Sequence, residues 1–183
     1  MKKVLAGILA AAMSISLLAG CAKSTAGATK TGLGQSTTVT KATDATAAAA
    51  GVIEIDTVMA AVSIDANGKI ISVTIDKVQP KANFGIDGKA ATQVNTTIKT
   101  AVELGADYGL KQASVIKKEW FEQIKSLEDW MVGKTIAEVK AMKTTTKTGS
   151  TAVYADEADL KTSVTISVGD YITAVEEAVK NAK

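Results

Sequence analysis

The stretch that most constrains this chain is a pair of apolar runs, Val52 to Ile64 and Lys69 to Val78, separated by Asp65-Ala66-Asn67-Gly68. Ile53/Ile55 and Val62/Ile64 alternate in the first run, and Ile71/Val73/Ile75 share one face of the second. A period of two is the signature of a half-buried strand. Asn-Gly supplies the positive φ angles of a tight reversal, so the two runs are expected to close into an antiparallel hairpin. An isolated hairpin is barely stable in water and needs further strands and a covering layer. Ser36 to Lys41, and Lys81 to Ile86 ahead of Asp87-Gly88, supply two more extended pieces.

The covering layer is read from helical spacing. Between Ser114 and Val132, Ile116, Trp120, Ile124, Leu127 and Met131 form one apolar stripe, and Gly133 is the expected stop. Thr135 to Met142 reads as a second, short helix. A last helix runs from Val168 to about Ala182, with Val168, Ile172, Val175 and Val179 on its inner face. Ser167 followed by Asp170 three residues on reads as its capped start. Thr100 to Lys111, punctuated by glycine, is expected to be a surface loop with a packed Tyr108, and Lys143 to Ser150 a polar loop. Ala42 to Gly51 fits a short helix or a loop and is taken as a connection. The expected architecture is a single α+β domain over residues 35–183: an antiparallel sheet of about four strands with two or three helices packed on it. Trp120 belongs to its core, whereas Trp130, off the main stripe, is the better placed of the two for contact with a bound ring.

The chain begins Met1-Lys2-Lys3 and continues with an apolar run from Val4 to Leu18, too short for a stable span. Residues 1–20 therefore read as a signal peptide. Its end, Leu18-Ala19-Gly20-Cys21, resembles the bacterial lipobox, which makes Cys21 the lipidated first residue of the mature protein, anchored to the extracytoplasmic face of the cell membrane. Residues 21–34 are small and polar and are expected to be a flexible tether. Removing 1–20 takes Lys2 and Lys3 with it, so the formal charge of +2 falls to zero.

Composition then excludes several functions. There is no histidine, Cys21 is the single cysteine, and every basic residue is lysine. The usual ligands of zinc, copper, haem and iron–sulfur clusters are missing, as is the commonest general base. Without arginine or a basic balance, nucleic acid is not an expected partner. Redox chemistry on this chain would have to come from an organic cofactor.

The stretch Asp159-Leu160-Lys161-Thr162-Ser163-Val164-Thr165 lies just ahead of the last helix. An unpaired helix N-terminus attracts a phosphate, and Ser163 and Gly169 are expected to leave room for one. The seven residues resemble the acceptor motif of covalently flavinylated proteins, in which a dedicated flavin transferase joins the FMN phosphate to a threonine hydroxyl. Asp159, Thr162 and Thr165 fall on the firmest positions of that motif; Ser163 and Val164 stand where Gly-Ala is more frequent. Val62-Ser63-Ile64-Asp65, Gly68-Lys69-Ile70 and Val73-Thr74-Ile75-Asp76 are similar to a second pattern of FMN-binding families. The resemblance implies covalent FMN at Thr165, with Thr162, Ser163, Asp159 and Ser167 around it. It also implies a membrane-anchored lipoprotein of extracellular electron transfer, which is not itself an enzyme and takes electrons from a membrane donor such as a quinol-linked dehydrogenase. The run Asp156-Glu157-Ala158-Asp159 could help hold Mg²⁺ during the transfer. Two other readings stand beside this one. The chain could be a lipoprotein that binds FMN or another small molecule without a covalent bond. Met13 to Gly20 also resembles the peptide pheromones released from lipoprotein signal peptides of Gram-positive bacteria.

Overall fold

The computed structural model describes residues 29–91 and 97–183. The expected signal peptide, Cys21 and the first part of the expected tether lie outside the described residues. The structure is mixed α+β, with a four-stranded antiparallel sheet. Strand β1 (Lys30–Thr43) pairs with β2 (Gly51–Ile64), and β2 pairs with β3 (Ile70–Val78). Strand β4 (Lys81–Phe84) pairs with the first residues of β2, Gly51 to Glu54. It follows β3 along the same edge of β2, and the carbonyl of Pro80 between them accepts the Ile55 N–H at 3.0 Å.

Two details of the hairpin differ from the sequence reading. Only Gly68 has a positive φ in the turn, +76°. Asn67 stays at negative φ because Asp65 organises the reversal: its Oδ1 accepts the N–H groups of Asn67 and Lys69 at 2.9 and 2.8 Å. The ladder also shifts between Ser63 and Ile64, so that Ile64 opposes Ile70 and Ile71 is skipped. That bulge reverses the phase of the strand. Ile70 goes into the core and Ile71 points outward, 49% exposed, while Val73 and Ile75 are buried as expected.

Strand β1 begins at Lys30, which corrects the reading of residues 30–34 as tether. Its glycines let a helix lie directly on the strand: a Cβ on Gly32 would stand 2.0 Å from the Ala178 carbonyl oxygen, and one on Gly34 2.2 Å from the Ala174 oxygen. Among the described residues five α-helices follow β4. The helices α1 (Ala101–Leu104) and α2 (Leu110–Ala113) are single turns, joined by a 3₁₀ turn at Gly105–Tyr108, where a loop was expected. Helix α3 (Trp120–Met131) is shorter than the Ser114–Val132 reading. It starts at Glu119, which exchanges hydrogen bonds with Glu122 in a capping box, and Lys117 just before it is at φ +54°, outside helical geometry. Gly133, at φ +83°, follows its end. Helix α4 (Ile136–Lys140) is capped by Thr135. Strands β5 (Thr144–Thr146) and β6 (Val153–Ala155) form a small second sheet, in part where a polar loop was expected. Helix α5 (Gly169–Lys180) closes the chain.

Helix α5 packs on β1 and β2, and α3 on β3. Between these layers lie Val58, Ala60, Val62, Ile70, Val73 and Ile75 from the sheet, Ile124, Leu127 and Met131 from α3, and Ala174, Val175 and Ala178 from α5. Trp120, 1% exposed, is a core residue as expected. Its ring lies between Tyr108 and Tyr171, with centroids 6.0 and 6.2 Å away, and its N–H donates to the Tyr171 hydroxyl at 2.8 Å. Burial holds the Tyr171 phenol above its usual pKa, so this acceptor is neutral. Trp130 is half-buried beneath the Lys134 ammonium, 4.3 Å from its centroid.

Candidate functional site

The segment from Asp159 to Val168 is held by three apolar residues four apart. Leu160, Val164 and Val168 are buried at 2%, 2% and 0% exposure. Consecutive turns carry the chain into Leu160 and on to Val164: the Leu160 and Lys161 N–H groups bond to the Glu157 carbonyl, and those of Ser163 and Val164 to the Leu160 carbonyl. The polar residues from Asp159 to Thr162 face outward. Asp159 and Thr162 are exposed, and the half-buried Ser163 hydroxyl donates to the carbonyls of Asp159 and Leu160, both at 3.3 Å. Val164, a departure from the flavinylation pattern, is thus one of the three residues that pin the segment to the core.

Thr165 comes next and is half-buried. Its backbone N–H donates to Gln123 Oε1 at 2.8 Å, and its hydroxyl donates to the same oxygen at 3.2 Å. Gln123 is completely buried on α3. Its Nε2 donates to the Ser114 hydroxyl and to the Lys118 carbonyl, each at 3.2 Å. Helix α3 and the loop before it therefore fix the threonine. Sequence reasoning missed Gln123, although a signal was present: it lies one turn beyond Trp120 and one turn before Leu127, a polar residue inside an apolar stripe.

Four expectations about this region are corrected. Ser167 does not cap α5. It is exposed, bridged to Tyr154 in an extended conformation, and the cap position is Val168, without a side-chain cap. The start of the helix is held by the sheet instead, through Val168 N–H to the Val153 carbonyl at 2.8 Å. Asp170 does not reach back to the helix start, because its Oδ1 accepts from the Ser36 and Thr38 hydroxyls on β1 at 3.2 and 3.4 Å. Gly169 makes room for Val153 rather than for an anion, since a Cβ there would stand 3.1 Å from Val153 Cγ2. The acidic run does not converge: Asp156 pairs with Lys161 at 2.8 Å, and Glu157 accepts the Lys143 N–H at 2.8 Å. Among the described residues no group of three or more acidic, histidine or cysteine side chains is arranged to hold a metal ion.

Two further features lie close to Ser114 and Gln123 in sequence. Val115, next to Ser114, is 83% exposed, and Phe121, two residues before Gln123, is 42% exposed. Glu119 is 7% exposed, and its Oε2 has no hydrogen-bond partner among the described residues. Elsewhere, a groove of about 580 Å³ runs over the sheet between Leu33, Met59, Ala61, Thr74 and Asp76, with Glu177 of α5 also in its lining.

Over 95 residues the chain is 35% identical to a chlorophenol reductase of Desulfitobacterium hafniense. That region is 46% of this chain and 29% of the reductase, so the chain spans less than a third of the curated relative it matches. No family model and no solved structure matches it. No helix among the described residues is long and apolar enough to cross a membrane.

Proposed function

We propose that this protein is a lipid-anchored electron carrier of the extracytoplasmic membrane face, with FMN joined to Thr165 through a phosphoester. The observation that carries the reading is the posture of Thr165 within a stretch that resembles the flavin acceptor motif. Its main chain and hydroxyl are tied to a buried amide at the end of an exposed turn. A hydroxyl that accepts a bulky group must be reachable yet unable to recoil, and this arrangement meets both needs. FMN supplies the one- and two-electron chemistry; the residues of this chain retain and orient it. Attachment suits a protein outside the cell, where a dissociable flavin would be diluted away. Cys21 holds the chain at the membrane, a flavin transferase loads it, and a membrane donor such as a quinol-linked dehydrogenase reduces it. The name of the partly similar reductase agrees with a redox setting.

The test is co-expression of the full chain with a flavin transferase, followed by denaturation and mass analysis. Flavin absorbance should stay with the denatured polypeptide and the adduct should map to Thr165. Thr165→Val, nearly the same shape, should fold and remain colourless. An adduct on another residue would mean that the register is misread.

A second reading has its own observation, the groove over the sheet. Its volume suits a small ligand, and its wall of Leu33, Met59 and Ala61 is apolar. On that reading the protein is a lipoprotein that binds FMN or another small molecule reversibly. Flavin that is lost on denaturation, or no adduct while the transferase modifies a control protein, would favour it.

A further inference from the structure

We infer that Gln123 is a positioning residue that selects Thr165 from the hydroxyls of its segment and aims it for phosphoryl transfer. This rests on the covalent reading above. The orientation of the Gln123 amide is settled by two partners that cannot exchange roles. The Lys118 carbonyl only accepts, so it requires Nε2; the Thr165 N–H only donates, so it requires Oε1. With Ser114 on the second N–H and the Thr165 hydroxyl on the second lone pair, all four valences of the amide are used. Gln123 is fully buried, so no water competes for them.

The Thr165 hydroxyl proton is consequently directed inward, toward Oε1, which leaves the oxygen lone pairs away from Gln123. That is the presentation an attack on phosphorus needs. The other two hydroxyls of the stretch lack it: Thr162 is exposed, and the Ser163 hydroxyl is turned back onto its own turn. In the transfer, Thr165 Oγ bonds to the phosphorus of a flavin phosphoanhydride brought by the transferase, and the anhydride P–O bond breaks. The second phosphate ester leaves with that electron pair, and the hydroxyl proton is released. Oε1 is a neutral amide oxygen and cannot keep that proton, so as the P–O bond forms the O–H turns from Oε1 to a base on the transferase. Gln123 acts by holding geometry, and the Thr165 N–H remains bound to Oε1 after the ester has formed.

The experiment uses the full chain, a flavin transferase and flavin adenine dinucleotide as the phosphoanhydride. Three proteins are compared: wild type, Gln123→Met and Gln123→Glu. Methionine has a similar length and no acceptor of comparable strength, whereas glutamate retains an oxygen for Thr165. For Gln123→Met we expect kcat to fall roughly tenfold to a hundredfold, the range expected when a reacting group is misplaced by about 1 Å. KM for the lipoprotein should be unchanged, and part of the adduct should move to Thr162 or Ser163. Gln123→Glu should keep its adduct on Thr165. In the unmodified wild type, the Thr165 amide should exchange its hydrogen more slowly than that of Thr162. A merely structural role would lower stability without moving the site of the adduct. A Gln123→Met protein modified on Thr165 alone at the wild-type rate overturns the inference. If that variant fails to fold, an adduct spread over several residues in Gln123→Glu overturns it instead, as does fast exchange at Thr165 in the wild type. Wild-type protein that takes no adduct, with the transferase active on a control, sinks the covalent reading and this inference together; the other outcomes touch the inference alone.

Discussion

The contact between β1 and α5 is close enough to be tested with one methyl group. A Cβ on Gly34 would stand 2.2 Å from both the Ala174 carbonyl oxygen and the Ala178 nitrogen. Ordinary contact begins near 3.4 Å, so strand and helix must separate by about 1.2 Å to admit alanine. The obstructing atoms are backbone and cannot rotate away. Overpacking a core typically costs about 1–3 kcal/mol, and a collision with helix backbone belongs at the upper end. Separation would also strain the bonds that tie the edge of β1 to the helix and chain end: Gln35 N–H to Glu177 at 2.7 Å, Asn181 to the Leu33 carbonyl at 2.9 Å, and the Thr31–Lys183 pair. About 3 kcal/mol corresponds to a fall in melting temperature of roughly 6–12 °C for a domain of this size. The assay is thermal unfolding of flavin-free Gly34→Ala by circular dichroism. Leu33→Ala, on the adjacent side chain that is 73% exposed, serves as control and should stay within about 0.5 kcal/mol of wild type. A Gly34→Ala protein that melts within about 2 °C of wild type would show that β1 and α5 do not pack backbone to backbone.

Trp120→Ala should cost about 3–5 kcal/mol in protein that has never met flavin, because it empties a fully packed site and removes the N–H that Tyr171 accepts; an unchanged melting temperature would place this face in solvent. Glu128 accepts the Ile75 N–H at 2.7 Å, yet burial, reinforced by Asp129 and opposed by that N–H and by Lys125, holds its carboxyl above the ordinary value of 4.5. A raised carboxyl favours the folded state while protonated, and its contribution is lost as pH rises through and beyond that value. Glu128→Gln, which keeps an acceptor for Ile75, should therefore gain stability relative to wild type as pH is raised from 4 to 7; a gain that shrinks over that range would refute the assignment. Ser167→Ala should change stability by less than about 0.5 kcal/mol, as expected for an exposed residue that caps nothing, and a loss of 1 kcal/mol or more in chemical denaturation would restore it as a cap.

What could be read from residues alone was what depends on local periodicity. The two runs around Asp65 to Gly68 are strands because their apolar residues alternate, and the stripe through Trp120, Ile124, Leu127 and Met131 is a helix that buries that stripe. Gly133 and Thr135 stop and start helices where sterics and side-chain hydrogen bonding predict. Errors arose where a distant partner outweighed the local signal. Ser167 has the chemistry of a cap, but pairing with Tyr154 holds it extended; Asp170 has the spacing of a capping box, but the hydroxyls of Ser36 and Thr38 on β1 occupy it.

The candidate site divides in the same way. The order Asp159, Thr162, Thr165 is a property of the sequence. The posture of Thr165 is tertiary, because the oxygen that holds it belongs to Gln123, forty-two residues earlier. A glutamine inside an apolar stripe is marked by its spacing as facing the core, but spacing does not say which partner it holds there. Gly32 and Gly34 show the same limit in reverse. In sequence, glycine among small polar residues signals flexibility, because nothing in such a stretch can bury apolar area. In the folded protein the missing side chains let α5 rest on the strand, so the feature that marked these residues as tether fixes them in the sheet.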